Sequence, residues 1–123
     1  MSEAIKILLV DDEKSFVQSL AERLHMRNLG TNAAYDGHQA FEMLKEGIPD
    51  VMILDLRMPG IDGIEVLRRV KEQYPHVQVI ILTGMGTEED KKKVKDLGAA
   101  AYLEKPVDID ELITVIKNIT KHE

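Results

Sequence analysis

The sequence predicts an α/β domain: a five-stranded parallel sheet covered by helices on both faces. Three observations carry that expectation. Short runs rich in Ile, Leu and Val stand at residues 5–10, 51–54 and 79–82, the composition of strands buried on both sides. Between them lie stretches with helical apolar spacing and their own start and stop residues. The alternation repeats every ~20–30 residues, the size of a strand-plus-helix unit.

The first strand, 5–10, discharges into Asp11-Asp12-Glu13. The helix after it is expected to carry Phe16, Leu20 and Leu24 on one face, with Gly30 as its C-terminal stop. Thr31 to Tyr35 is a weaker strand. Asp36 with Gln39 resembles a capping box ahead of Ala40, Phe41 and Leu44, and Gly47 closes that helix. Val51-Met52-Ile53-Leu54 delivers Asp55. Asp62 with Glu65 starts a third helix carrying Ile64, Leu67 and Val70, which stops near Pro75. Val79-Ile80-Ile81-Leu82 delivers Thr83.

Thr87 caps a fourth helix that offers few apolar residues to bury. Its acids suit the N-terminal dipole, and Glu88–Lys92 and Glu89–Lys93 can pair at i,i+4 for about 0.2–0.5 kcal/mol each. So lightly packed an element is a candidate for the part that moves. Ala100 to Leu103 is the fifth strand, assigned mostly by its position in the repeat, and it leads through Glu104 to Lys105-Pro106. Asp108 with Glu111 starts the last helix, whose Ile109, Leu112, Ile113, Ile116 and Ile119 form one stripe. The expectation is a single domain over residues 1–123, with its core at about 5–119.

Composition excludes several functions. A net charge of −6 argues against direct nucleic-acid binding, which needs a cationic face. The absence of cysteine removes disulfides, thiolate metal sites and thiol nucleophiles together. No apolar run reaches membrane-spanning length and no signal-peptide layout opens the chain, so the cytoplasm is the expected compartment and no membrane partner is expected.

Alternating units of this length imply right-handed crossovers, with two helices on one face and three on the other. The doubly wound order 2-1-3-4-5 is carried over from flavodoxin-like proteins of this architecture. It makes strands 1 and 3 neighbours at the switch point where ligands bind. Asp11, Asp12 and Asp55 then meet, with Thr83 and Lys105 on the same edge.

Each group alone has an ordinary reading: a helix cap, a loop-entry aspartate, a strand-end threonine, a solvated lysine. Their succession at the exits of successive strands points to chemistry. Crowded carboxylates repel unless a cation intervenes, and an all-oxygen donor set selects Mg²⁺ or Mn²⁺ over zinc. Asp55 could act as a carboxylate nucleophile toward phosphorus, with Thr83 donating to a phosphoryl oxygen and Lys105 supplying counter-charge. Pro106 restricts Lys105 and could impose a cis bond that aims it.

At these residues the chain resembles the receiver domain of two-component response regulators, in particular the chemotaxis-regulator type, from about Ile5 to Ile119. The carriers are Leu9-Val10-Asp11-Asp12-Glu13, Asp55 through Gly63, Leu82-Thr83-Gly84 and Tyr102-Leu103-Glu104-Lys105-Pro106. The resemblance implies that Asp55 accepts a phosphoryl group from a sensor histidine kinase, a phosphotransfer protein or a small phosphodonor. It implies Mg²⁺ held by Asp12, Asp55 and the Arg57 backbone carbonyl, with Asp11 acting through water. Lys105 would pair with the phosphoryl group, and Thr83 and Tyr102 would form the switch.

Arg57 and Met85 fall where receivers tune dephosphorylation, and Gly84 and Pro106 flank the threonine and lysine. Output would pass through the face of helix four, strand five and helix five to an effector domain or protein, or through a phosphorylation-dependent homodimer. Ala99-Ala100-Ala101 and Val107 differ from the residues common in the winged-helix transcription-factor subfamily, so its particular dimer is not implied. Such a protein is a regulatory phosphoacceptor rather than an enzyme, catalysing only its own phosphorylation and dephosphorylation.

Two other functions suit the same fold. A flavin or nucleotide module would need a Gly/Ser/Thr-rich loop after the first strand, where Asp11-Asp12-Glu13-Lys14 stands instead. An aspartyl-phosphate hydrolase would place its nucleophile in an Asp-x-Asp motif there, a spacing this chain lacks.

Overall fold

Strands and helices alternate through the computed structural model, which describes residues 4–120. In chain order they are β1 Lys6–Val10, α1 Lys14–His25, β2 Gly30–Ala34, α2 Gly37–Glu46, β3 Val51–Leu54, α3 Gly63–Gln73, β4 Gln78–Thr83, α4 Glu88–Asp96, β5 Ala101–Glu104 and α5 Ile109–Thr120. The strands form one sheet in the order β2-β1-β3-β4-β5, and every pairing is parallel. This is the expected doubly wound arrangement.

Period-two alternation divides the core into two layers. Leu8, Val10, Met52, Leu54, Val79 and Ile81 point toward α2, α3 and α4. Ile7, Leu9, Val51, Ile53, Ile80 and Leu82 point toward α1 and α5. β3 is buried at every residue, which explains why it reads as an unbroken apolar run.

The helix starts follow local chemistry. The Asp36 carboxylate accepts from the Gln39 amide at 2.7 Å, and Gln39 Oε1 accepts from the Tyr35 amide at 2.8 Å, one residue before the cap. Asp62 accepts from the Glu65 amide at 3.0 Å. Thr87 and Asp90 form a reciprocal capping box, with bonds of 3.0 and 3.1 Å. At α5, Asp108 accepts from the Asp110 amide at 3.2 Å rather than from Glu111.

Several expectations need correction. α1 buries Val17 with Leu20 and Leu24, while Phe16 lies only partly covered at the helix margin. Gly30 does not end α1 but opens β2. The chain turns earlier: Asn28 takes φ 64°, and the Leu29 amide donates back to the Leu24 carbonyl at 3.0 Å. Asparagine tolerates the left-handed region, so it serves where glycine was expected. α3 adds Val66 to Leu67 and Val70, and Ile64 is only partly covered.

α4 sends Val94 into the core and little else, as its composition suggested. Neither Glu88–Lys92 nor Glu89–Lys93 forms an ion pair among the described residues. Exposed pairs of this kind gain too little to hold two long side chains together. No helix among the described residues is long and apolar enough to cross a membrane.

Candidate functional site

The strand exits are fixed by the last hydrogen bonds of the sheet. The Asp11 amide donates to Ala34 at 3.1 Å, the Asp55 amide to Val10 at 3.0 Å, and the Lys105 amide to Thr83 at 3.0 Å. Asp11, Asp55 and Lys105 are therefore positioned by backbone that continues a ladder, not by a free loop. The α3 start packs hard against the exit of β3. A Cβ on Gly63 would lie 2.6 Å from Leu56 Cα and in collision with the Asp55 carbonyl, so only glycine fits there.

Asp11, Asp12 and Asp55 each present an oxygen within 4.8 Å of the others. Asp11 and Asp55 are buried and Asp12 is exposed. Opposite oxygens on an octahedral Mg²⁺ stand roughly 4 Å apart, so the three carboxylates would close by less than about 1 Å to hold the ion. The donors are all hard carboxylate oxygens, the chemistry Mg²⁺ and Mn²⁺ prefer.

Among the described residues, one ammonium serves this crowd. Lys105 Nζ lies 2.7 Å from Asp11 Oδ2, 2.7 Å from Glu13 Oε1 and 3.8 Å from Asp55 Oδ2. It also stands 4.4 Å from the centroid of the Phe16 ring, within cation–π range. The Lys105–Pro106 peptide is cis. Burial raises the Asp11 carboxyl above the usual range; the hydrogen bond from Lys105 and the Glu13 amide pull it back, and nearby Asp55 raises it again. Burial pushes Lys105 down, but hydrogen bonds to Asp11 and Glu13 win, and its ammonium is held above the ordinary lysine value. It stays a cation at any physiological pH.

Thr83 is fully buried, and its hydroxyl has no hydrogen-bond partner among the described residues. An unmade buried bond costs about 1–3 kcal/mol. Beside it, the Tyr102 ring sits over Gly86. A Cβ on Gly86 would collide with the Tyr102 hydroxyl and stand 2.9 Å from Cζ and 3.0 Å from Thr83 Cγ2. Burial, then Glu104, Asp90 and Glu88, raise the Tyr102 phenol, so it remains neutral. The Arg57 amide stands a long 3.5 Å from Asp55 Oδ1, and its guanidinium pairs with Asp90. Met85 is exposed, and Gly84 lies against the Lys105 side chain.

The structure thus gathers Asp11, Asp12, Asp55, Thr83 and Lys105 on one edge of the sheet, with Tyr102 behind Thr83. Lys105 contacts Asp11 and Glu13 more closely than Asp55. Glu13, Phe16, Gly86 and Asp90 were not singled out by sequence reasoning as site residues. Glu13 had a signal, since it adjoins the acid pair. Phe16 and Gly86 had none, because each is defined by a side chain distant in sequence.

A family model described as the response regulator receiver domain matches residues 7–117. Among solved structures, a response regulator receiver domain protein from Clostridium thermocellum is 33% identical, with a TM-score of 0.89 over 95% of this chain and 94% of that one. The receiver domain of the Francisella response regulator 1452 is 32% identical, with a TM-score of 0.87 over 95% and 97%. NtrX from Brucella abortus is 30% identical with a TM-score of 0.90; the match covers 97% of this chain but only 27% of NtrX. With the match running through all the strand exits that build the site, this chain belongs to the response regulator receiver domain family.

Proposed function

We propose that this domain is a Mg²⁺-dependent phosphoacceptor in a two-component phosphorelay, with Asp55 as the acceptor. The observation that carries the reading is the convergence of Asp11, Asp12 and Asp55 within 4.8 Å, beside the Lys105 ammonium. An Asp55 oxygen attacks phosphorus, and the bond from phosphorus to the donor's nitrogen or oxygen breaks, leaving an acyl phosphate. Asp11, Asp12, Asp55 and the Arg57 carbonyl would hold Mg²⁺. When bound, the ion offsets the repulsion between carboxylate and phosphoryl group.

The remaining work belongs to side chains. Lys105 is already 3.8 Å from Asp55 and needs only a small shift to pair with a phosphoryl oxygen. The Thr83 hydroxyl, buried without a partner among the described residues, gains one when a phosphoryl oxygen arrives. Its movement alters the packing beside Tyr102 and Gly86, and the α4–β5–α5 face changes with it. A histidine kinase or phosphotransfer protein supplies the group, and an effector reads that face. The cytoplasm is the proposed compartment. Arg57 and Met85 adjust the acyl-phosphate lifetime.

Intact mass after incubation with acetyl phosphate tests the reading. A gain of one phosphoryl group that requires Mg²⁺ and vanishes in Asp55→Asn supports it. A gain that survives in Asp55→Asn overturns the acceptor assignment. If no gain appears, a beryllofluoride titration decides: no binding overturns the site as a whole.

A further inference from the structure

Beyond its place beside the acceptor, the Arg57 side chain joins two segments of the molecule. Its guanidinium donates from Nη2 to Asp90 Oδ2. The same oxygen accepts from the Thr87 amide at 3.1 Å, closing the capping box of α4. Asp90 is well covered, its side chain 13% exposed, whereas that of Arg57 is 49% exposed. At its other end Arg57 follows Asp55 by two residues, with its amide facing the carboxylate. One residue therefore runs from the candidate acceptor to the first turn of α4. That helix sends Val94 into the core, so a polar tether matters more to it than to its neighbours.

We infer that the Arg57–Asp90 ion pair is a latch that fastens the first turn of α4 to the acceptor loop and reports acceptor occupancy to α4 by a route separate from Thr83. The inference rests on Asp55 being the acceptor. A phosphoryl group there adds about −1.5 to −2 charge beside the Arg57 amide, two residues along the chain from the acceptor. The new anion competes with Asp90 for Arg57. As the guanidinium turns inward, Asp90 keeps only its capping bond to Thr87, and the first turn of α4 loosens. The occupied state needs no new contact on α4 itself; it needs one removed.

Hydrogen exchange read by mass spectrometry on the full chain tests the latch, with and without beryllofluoride and Mg²⁺. Arg57→Met should speed exchange across residues 88–94 of the unloaded protein by about 1.5- to 5-fold, the worth of a half-exposed ion pair. Arg57→Lys should restore most of the protection. Asp90→Asn, which keeps an oxygen for the Thr87 amide, should resemble Arg57→Met. Loading should speed exchange there in the wild type and add little in Arg57→Met. Equal exchange in unloaded wild type and Arg57→Met overturns the latch, as does an equal loading response in both. The two ideas fail separately. A chain that neither gains the mass with Mg²⁺ nor binds beryllofluoride refutes the acceptor, whereas unchanged exchange in a chain that does gain the mass refutes the latch alone.

Discussion

Gly63→Ala should damage both stability and chemistry, because the added carbon meets backbone that cannot rotate away. Its Cβ would lie 2.6 Å from Leu56 Cα and 3.0 Å from the Asp55 carbonyl carbon. Carbon atoms pack at about 3.5–4.0 Å, so the start of α3 and the exit of β3 must part by roughly 1 Å. That movement strains the 3.1 Å bond from the Gly63 amide to the Leu56 carbonyl. Overpacking of this kind costs about 1–3 kcal/mol, and a lost hydrogen bond about 0.5–1.5. Reduced freedom of the unfolded chain returns about 0.4–1 kcal/mol. The net loss is about 0.5–4 kcal/mol, and each kcal/mol moves the melting midpoint of a chain this size by roughly 3–5 °C. Gly47→Ala is the control, since its built Cβ meets nothing within 4 Å and its φ of −175° suits any residue. Thermal unfolding by circular dichroism compares the pair, and acetyl phosphate labelling should slow by about 10- to 100-fold in Gly63→Ala alone. If both variants melt together, the packing argument at the acceptor strand is wrong.

Thr83→Val should raise the stability of the unphosphorylated protein by about 1 kcal/mol in urea, because it removes a buried hydroxyl without a partner. A loss of similar size would mean the hydroxyl is bonded after all. Gly86→Ala should expel the Tyr102 ring from its seat, seen as lost Overhauser contacts between the ring and the Thr83 methyl; unchanged contacts would refute the fit. The Glu65 carboxyl, hydrogen-bonded by Arg68 and then Arg69, should titrate at about 2 in carbon-detected NMR instead of at the ordinary 4.5. A depressed acid stabilises the fold above its unfolded pKa, so this contribution fades as pH falls from 4.5 toward about 2. Arg68→Ala should move the midpoint upward, and a wild-type midpoint near 4.5 would discard the ion-pair account.

Local chemistry determined a large part of this molecule. The central strands β1, β3 and β4 are legible because burial on both faces demands unbroken Ile, Leu and Val, whereas β2 and β5 carry a weaker signal. The helix starts are legible because a cap and its partner lie within a few residues, as with Asp36, Asp62 and Thr87. The clustering of Asp11, Asp12 and Asp55 also follows, given the strand order borrowed from known folds. Tertiary structure alone decided the partners. Lys105 reaches Glu13 across 92 residues, and Arg57 reaches Asp90 across 33. These choices turn on about 1 kcal/mol between alternatives for pairs with one partner open to solvent, too little for composition to reveal. The same holds for Gly86, whose need for glycine comes from a tyrosine on another strand, and for Asn28, which turned the chain where Gly30 was expected. Spacing along a chain records which face a residue takes, but the distance between faces is set only when the loops close.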